Sequence, residues 1–171
     1  DRTAATDVLD MCTGSGCLAI MAADVFPNAT IDAADISADA LQVARRNVAD
    51  YQLEKRVNLV KSDLFAALGT KRYDVILCNP PYVTDSAMAK LPAEYQHEPQ
   101  LALAGGKDGM NFVKTLVRQA RGHLKRGGLL FVEVGDGRRE VERVLGDIPL
   151  TWLTTSAGDD MVFMARQEEL P

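Results

Sequence analysis

Residues 7–16 read Asp7-Val8-Leu9-Asp10-Met11-Cys12-Thr13-Gly14-Ser15-Gly16, and the rest of the chain is organised around them. The apolar run from Val8 to Met11 is typical of a buried strand, and it ends at a Gly-Ser-Gly turn before a helical pattern. Because Gly14 and Gly16 lack a Cβ atom, the backbone can bend tightly there and a ligand can lie against it. The pattern therefore predicts a strand, turn and helix that cradle a nucleotide-like ligand.

The acid at the end of the first strand indicates the charge of that ligand. Asp10 would repel a pyrophosphate, whereas it would attract the amino group or the sulfonium of S-adenosylmethionine. Gly14-x-Gly16-x-x-Ala19 also fits a dinucleotide fingerprint. Asp10 and a predicted hairpin at the end of the chain favour the methyl donor, with S-adenosylhomocysteine as the product.

Composition limits the classes of function. The 171 residues are 47% apolar and 25% charged, as expected for one globular domain. The net charge of -5 argues against sequence-independent binding of nucleic acid. No apolar run has the length of a membrane span, so no membrane partner is expected. Three cysteines and two histidines make no zinc set and indicate reduced core thiols and a cytoplasmic location, with no metal.

Alternating apolar patterns predict an α/β fold. The first helix has an inner face of Leu18, Ala22 and Val25, and the second begins at Ser37 as its N-cap. Further strands are predicted at 29–34, 57–60, 73–78 and 129–134, a short helix at 138–145, and a hairpin of strands 150–155 and 161–165. These elements predict an open, mostly parallel sheet with an antiparallel hairpin at its end.

A long amphipathic helix is predicted from Gly109 to Arg126, ended by Gly127-Gly128. Its inner face includes Leu124, and its outer face carries a basic stripe, which consists of Lys114, Arg118, Arg121 and Lys125. Such a stripe is usually a solvated face, and the alternative is a weak contact with ribosomal RNA.

Polar residues end four of the predicted strands and should gather at one edge of the sheet, where open α/β sheets bind ligands. Besides Asp10, they are Asp35, Asp63 and Asn79. Asp35 follows the glycine turn at about the spacing (~20 residues) at which an acid binds ribose hydroxyls. Asp63 can accept a hydrogen bond from an adenine amino group, with Leu64 and Phe65 as apolar walls.

The stretch Asn79-Pro80-Pro81-Tyr82 predicts the acceptor of the methyl group. A planar amide nitrogen is a poor nucleophile, and two acceptors placed against its N–H groups can hold it and return electron density to it. Asn79 can supply a side-chain carbonyl and Pro80 a backbone carbonyl, while Tyr82 offers a flat face for stacking. No base is required, so His97, which lies in a predicted lid at residues 83–109, is interpreted as a lid residue.

Together these motifs resemble those of class I methyltransferases that act on planar nitrogens. The downstream stretches 91–99 and 104–109 make the chain similar to the protein-glutamine methyltransferases that modify translation components. Cys12 and the run Glu94-Tyr95-Gln96-His97-Glu98-Pro99 look more like the branch that acts on the third large-subunit ribosomal protein than the branch that acts on release factors. The resemblance covers essentially the whole chain.

The resemblance implies a Rossmann-like, seven-stranded fold and a set of site residues. Asn79, Pro80 and Tyr82 would hold the glutamine amide. The cofactor site would comprise Asp10, Cys12, Thr13, Gly14, Gly16, Asp35, Ile36, Ser62, Asp63, Leu64 and Asn79. Residues 1–171 would be the catalytic domain, without the N-terminal helical domain by which the family recognises its protein substrates.

Three other functions are weighed against this interpretation. An adenine-specific DNA methyltransferase would use the Asn-Pro-Pro-Tyr motif in the same way to hold a planar amine. The sequence, however, shows no basic groove or target-recognition domain. A catalytically silent scaffold would be expected to lose Asn79 or the cradle glycines, and all are present. A nicotinamide dehydrogenase would need a different second half.

Overall fold

The computed structural model describes residues 2–80, 110–156 and 158–171. Within them, one sheet contains β1 (Asp7–Met11), β2 (Thr30–Asp35), β3 (Val57–Lys61), β4 (Tyr73–Cys78), β5 (Leu124–Glu133), β6 (Thr151–Thr155) and β7 (Gly158–Arg166). The helices of the described part are α1 (Cys17–Val25), α2 (Ala38–Asp50), α3 (Asn111–His123) and α4 (Arg138–Leu145), with a 3-10 helix at Gln167–Glu169.

The seven strands lie in the order β3-β2-β1-β4-β5-β7-β6. Strands β1 to β5 pair in parallel, while β7 is antiparallel to both β5 and β6. The predicted mostly parallel, seven-stranded sheet with a C-terminal antiparallel hairpin is confirmed. Since β1 lies between β2 and β4, the strand order changes direction there, and such a point is where open α/β sheets form ligand crevices.

The sheet separates two apolar clusters, and β1 contributes to both because successive side chains of a strand point to opposite faces. Val8 packs with the alanines of α1 and with Val48 of α2. Leu9 and Met11 pack in the larger cluster, which includes the buried residues of α3 and α4. Burial on both faces explains why β1 reads as a nearly continuous apolar run.

The predicted inner face of α1 is wrong in part. Its buried residues are Ala19, Ala22 and Ala23, whereas Val25 is exposed. The start of the helix lies so close to α2 that a Cβ added at Gly16 would be 3.2 Å from the Cβ of Ala44. Close packing is consistent with the three alanines on the buried face, beside which Ile20 is partly buried against the same cluster.

The predicted end of the long amphipathic helix is also wrong. The helix α3 ends at His123, and Leu124 already belongs to β5, where it pairs with Tyr73 of β4. The register shifts between Tyr73 and Val75, and a Cβ added at Gly128 would lie 3.0 Å from the Tyr73 carbonyl oxygen. The glycine pair thus allows a close approach of two strands and does not terminate the helix.

The basic stripe is consequently divided between a helix and a strand. Lys125 lies in β5, and its Nζ contacts Asp7 Oδ2 at 2.7 Å and Asp74 Oδ2 at 2.8 Å. Arg121 in α3 donates to the Leu170 carbonyl oxygen at 2.8 Å. Two of the four cations therefore stabilise the fold itself.

A buried polar cluster lies in the half of the sheet nearer the amino ends of the strands. Asp32 of β2 is only 5% exposed. Its Oδ2 accepts a hydrogen bond from the Tyr73 hydroxyl at 2.8 Å and pairs with Lys71 Nζ at 2.8 Å. Its Oδ1 accepts from Asn58 Nδ2 at 3.1 Å. Every oxygen of this carboxylate thus has a partner, which offsets the cost of its burial.

Candidate active site

The carboxyl ends of β1, β2 and β3 are held together by three hydrogen bonds. The Thr13 amide donates to the Ala34 carbonyl oxygen at 3.0 Å, and the Ser62 amide donates to the Asp35 carbonyl oxygen at 2.9 Å. The Gly14 amide donates to Asp35 Oδ2 at 2.9 Å. Parallel neighbours end at one edge of a sheet, so these bonds gather three of the predicted site loops into one surface.

Asp10 is the central group of this surface. It is 0% exposed, and its Oδ2 accepts a hydrogen bond from the Thr13 hydroxyl at 2.5 Å. Its Oδ1 is buried and has no hydrogen-bond partner among the described residues. Burial raises the pKa of Asp10 to about 7. The hydrogen bond from the Thr13 hydroxyl and the nearby backbone amide of Ala19, at the start of α1, oppose that rise, and the charge of Asp35 adds to it. A buried acceptor without a donor is costly, so this oxygen fits a cationic or N–H-bearing ligand.

The two predicted cradle glycines have different surroundings. Both adopt positive φ, +55° at Gly14 and +85° at Gly16, which a side chain would strain. A Cβ added at Gly14 would meet nothing within 4 Å, so this glycine borders open space that a ligand could occupy. Gly16 instead lies against Ala44 of α2, as described above. Cys12 also has a positive φ, 60°, and this left-handed residue begins the turn.

Asp35 organises the turn through both carboxylate oxygens. Besides the bond from Gly14 to Oδ2, Oδ1 accepts from the Ser37 amide at 2.8 Å. Ser37 in turn caps α2, because its hydroxyl accepts from the Ala40 amide at 3.2 Å, as predicted. The neighbouring Ile36 is 53% exposed, which leaves an apolar side chain beside the cradle. Each Asp35 oxygen retains a lone pair, so binding of ribose hydroxyls stays a prediction.

Of the residues that follow β3, some shape the loop through hydrogen bonds and packing, and others are accessible to a ligand. The Ser62 hydroxyl donates to the Leu64 carbonyl oxygen at 2.6 Å and accepts from the Ala67 amide at 3.0 Å, so it shapes the loop. Asp63 is exposed, and its carboxylate has no partner among the described residues. Leu64 is half-buried with φ +47°. Phe65, predicted as a wall, is buried and stacks on His123 at 4.3 Å between ring centroids.

Asn79 and Pro80 follow directly on β4, next to the cradle. Cys78 pairs with Met11 in the parallel register, so Asn79 and Cys12 are the next residues along adjacent strands. Asn79 is exposed and Pro80 buried, and the Asn79 amide has no hydrogen bond to a described residue. Tyr82, the predicted lid at 83–109 and His97 lie outside the described residues.

Three contacts around the site were not predicted. Asn47 Nδ2 of α2 donates to the Ser15 carbonyl oxygen at 2.8 Å and supports the glycine turn. The Thr13 hydroxyl binds Asp10, as described above. The Cys12 thiol lies against Cys78, whose pKa is raised well above its usual value by burial first and then by that hydrogen bond. Asn47 and Cys78 are distant in sequence from their partners, and the spacing Asp10-x-x-Thr13 carries no distinctive local pattern.

The other sequence-based expectations concern metals, thiols and membranes. Among the described residues no three His, Cys, Asp or Glu side chains are placed to hold a metal ion. Cys78 is buried, Cys12 half-buried and Cys17 exposed, so the expectation of core thiols is wrong for Cys17. None of the helices in the described ranges is long and apolar enough to cross a membrane.

Comparison with known families agrees with this geometry. The family model described as "Methyltransferase small domain" matches residues 1–94, which is more than half of the chain and includes the glycine turn and Asn79-Pro80-Pro81-Tyr82.

Curated relatives extend the similarity to the rest of the chain. The ribosomal protein uL3 glutamine methyltransferase of Burkholderia pseudomallei is 53% identical over 96% of this chain and 56% of its own length. The protein of the same description in Bradyrhizobium diazoefficiens is 51% identical over 98% of this chain and 53% of its own length. The chain therefore spans about half the length of the curated relatives that it matches.

Solved structures support the fold. A methyltransferase from Pyrococcus furiosus aligns with a TM-score of 0.70 at 19% identity, over 95% of this chain and 75% of that one. The O-methyltransferase of a Brevibacillus brevis trans-AT PKS multienzyme, solved in complex with S-adenosyl-L-homocysteine, aligns with a TM-score of 0.53 at 14% identity, over 78% of this chain and 36% of that one.

Proposed function

The chain belongs to the methyltransferase small-domain family, and from this premise we propose that residues 1–171 are the catalytic domain of an S-adenosylmethionine-dependent protein-glutamine N-methyltransferase. The observation that carries the proposal is the unpartnered Oδ1 of Asp10, buried beneath the glycine turn and one strand away from Asn79. A buried acceptor of this kind calls for a donor that residues 2–80, 110–156 and 158–171 do not supply.

The described residues fit S-adenosylmethionine. Asp10 would hold the cationic amino-acid end, and the open side of Gly14 gives room for backbone contact. Asp35 would bind the ribose, and the exposed Ile36 and half-buried Leu64 would flank the adenine, with Asp63 at its amino group. Cys12, Thr13 and Ser62 would shape these surfaces. When bound, the cofactor supplies an electrophilic methyl group on a sulfonium.

The protein's part in the chemistry is to hold and align the acceptor nitrogen. The exposed Asn79 amide and the Pro80 carbonyl would each accept one N–H of the substrate amide, and Tyr82 would cover one face of it. The buried ring of Pro80 restricts the backbone, so these acceptors are in position before the substrate arrives. The nitrogen sheds its proton after transfer, and for this reason Asn79 needs no neighbouring base.

The substrate we infer is a glutamine of the third large-subunit ribosomal protein. The support is that relatives at 51–53% identity over nearly the whole chain are ribosomal protein uL3 glutamine methyltransferases. Release factors and DNA adenine remain the alternatives, without an observation that favours either. Action on a ribosomal protein would take place in the cytoplasm, which is the location we infer. A weak contact with ribosomal RNA would involve Arg118, since Arg121 and Lys125 bind the protein itself.

Mass spectrometry of the ribosomal protein tests this proposal. We would compare cells that have the complete gene, a deletion, and a deletion complemented with Asn79→Ala. The expected result is one methylated glutamine that is lost in the second and third strains. A substrate with that glutamine changed to glutamate should remain unmethylated, because a carboxylate would face two acceptors without an N–H donor. Methylation of DNA adenine, with none on any glutamine, would contradict the proposal.

A further inference from the structure

The Thr13 side chain contacts Asp10, and we therefore consider whether it acts on a ligand through Asp10 and not by direct contact. The residue is 7% exposed, and its hydroxyl donates to the buried Oδ2 of Asp10 at 2.5 Å. Its backbone is held independently, because the amide donates to the Ala34 carbonyl oxygen at 3.0 Å and the carbonyl accepts from the Gly16 amide at 2.8 Å. The hydroxyl is therefore not needed to form the turn.

The hydroxyl matters to Asp10 for two reasons. It occupies one side of Oδ2, so Oδ1 is the carboxylate oxygen that has no hydrogen-bond partner among the described residues. It also stabilises the anion against burial and against the negative charge of Asp35 at the end of β2, while the buried Cys78 at the end of β4 remains a neutral thiol. Without the hydroxyl, Asp10 would take up a proton more readily and would present a donor to a cationic ligand.

We propose that Thr13 is a positioning residue whose hydroxyl keeps Asp10 as an oriented anion, so that the free Oδ1 receives the cationic amino group at the amino-acid end of the cofactor. This inference rests on the proposed function. It separates the cradle into two parts: Thr13 and Asp10 determine the affinity for the amino-acid end, while Asp35, Ile36 and Asp63 determine the affinity for the nucleoside.

Two variants and two ligands test the assignment. Thr13→Val removes the hydroxyl at nearly constant shape, and Thr13→Ser retains it. S-adenosylhomocysteine carries the amino group, whereas 5′-methylthioadenosine has the same nucleoside and sulfur without it. Calorimetric titration of both ligands from pH 5.5 to pH 7 would be combined with carbon-13 NMR of the Asp10 carboxyl in the ligand-free protein.

We expect wild-type affinity for S-adenosylhomocysteine to fall as the pH drops below about 7, where Asp10 becomes protonated. In Thr13→Val the Asp10 titration should move up by about one unit, and binding should weaken roughly five- to tenfold in this pH range. Thr13→Ser should match the wild type within about twofold. The affinity for 5′-methylthioadenosine should stay constant in all three proteins.

Unchanged binding of S-adenosylhomocysteine by Thr13→Val at every pH would overturn the inference. Equal weakening of both ligands would also overturn it, since it would mean that the turn itself had been damaged. Failure of the proposed function would look different. The wild type would then not bind S-adenosylhomocysteine at all, although a shifted Asp10 titration in Thr13→Val would still support the link between these two side chains.

Discussion

Two buried aspartates on adjacent strands have opposite environments. Asp32 of β2 is 5% exposed, and Tyr73, Lys71 and Asn58 satisfy both of its oxygens. Asp10 of β1 is 0% exposed, and within the described part of the chain only its Oδ2 has a hydrogen-bond partner. The two residues are only one register position apart, but the partners Tyr73 and Asn58 of Asp32 come from the amino ends of β4 and β3, whereas Asp10 is the last residue but one of β1.

Under the proposed function, Asp32 serves the stability of the fold, and Asp10 serves binding of the cofactor. A buried polar group without a partner costs about 1–3 kcal/mol, so the edge around Asp32 avoids a cost that the edge around Asp10 retains. A ligand that donates to Asp10 Oδ1 would remove that cost, and part of its binding free energy would come from this relief. Sites of function are often less stable than the fold would allow.

The largest expected effect is a pH dependence that Asp10 imposes on the ligand-free protein. The pKa of Asp10 is raised from 3.8 to about 7, so its contribution to stability is full below about pH 4 and is lost as the pH rises through 7. Such a shift corresponds to a loss of about 4 kcal/mol in the free energy of unfolding. Asp10→Asn should remove this slope, measured by urea unfolding at pH 4, 6 and 8. If the free energy of unfolding changed with pH in the same way in the variant and the wild type, Asp10 would not cause the pH dependence, and its environment would not differ from that of Asp32 in this respect.

Asn79→Ala should separate activity from stability at the carboxyl edge. Asn79 is exposed and has no partner among the described residues, so its loss should leave the unfolding temperature nearly unchanged. Turnover should fall by ~10²–10³, as when one preorganised contact at a reacting centre is removed. Affinity for S-adenosylhomocysteine should change little. Near-normal turnover at saturating substrate would show that Asn79 does not hold the acceptor.

Asp32→Ala should have the opposite effect, a loss of stability with little change in the binding of S-adenosylhomocysteine. It leaves the buried Tyr73 hydroxyl without an acceptor and removes the shorter of the two ion pairs of Lys71, which keeps only Asp7 at 3.8 Å, so the free energy of unfolding should fall by about 2–3 kcal/mol. Asp32→Asn retains an acceptor for Tyr73 and should cost less. Both variants should bind S-adenosylhomocysteine within about twofold of the wild type. A large loss of binding at unchanged stability would mean that the two edges are not separate.

The smallest expected effect concerns Lys125 at the amino edge. Burial by itself would raise the pKa of Asp74, but hydrogen bonds from Lys125, Thr6 and Asp7 hold it below 3.8. The contribution of this pair is therefore present above about pH 4 and is lost as the pH falls further, which is the opposite of Asp10. The pair is partly exposed, so Lys125→Met should cost less than about 1 kcal/mol at pH 7 and nothing at pH 2. An equal cost at both values would exclude the ion pair as its cause.

The periodicity of apolar residues predicts helices and strands best where contacts with distant parts of the chain do not override the local pattern. The strand Tyr73–Cys78 and the helix Arg138–Leu145 were predicted with the bounds that the structure has, because apolar residues alternate or recur there without interruption. It failed at Leu124, where pairing with Tyr73 of a distant strand outweighs the helical pattern. It failed again on α1, since the closeness of α2 could not be known from the helix itself.

The order of the elements, the mostly parallel sheet and the polar residues that end its strands all follow from the amino-acid sequence. Local spacing and backbone freedom are sufficient for these, because they depend on neighbours in the chain. Only the tertiary structure decided which buried aspartate would be satisfied. The partners of Asp32 lie 26 and 41 residues away along the chain, and they meet it only after the strands have paired. Asp10 receives one local bond, from three residues on, and the folded protein supplies no described donor for its other oxygen.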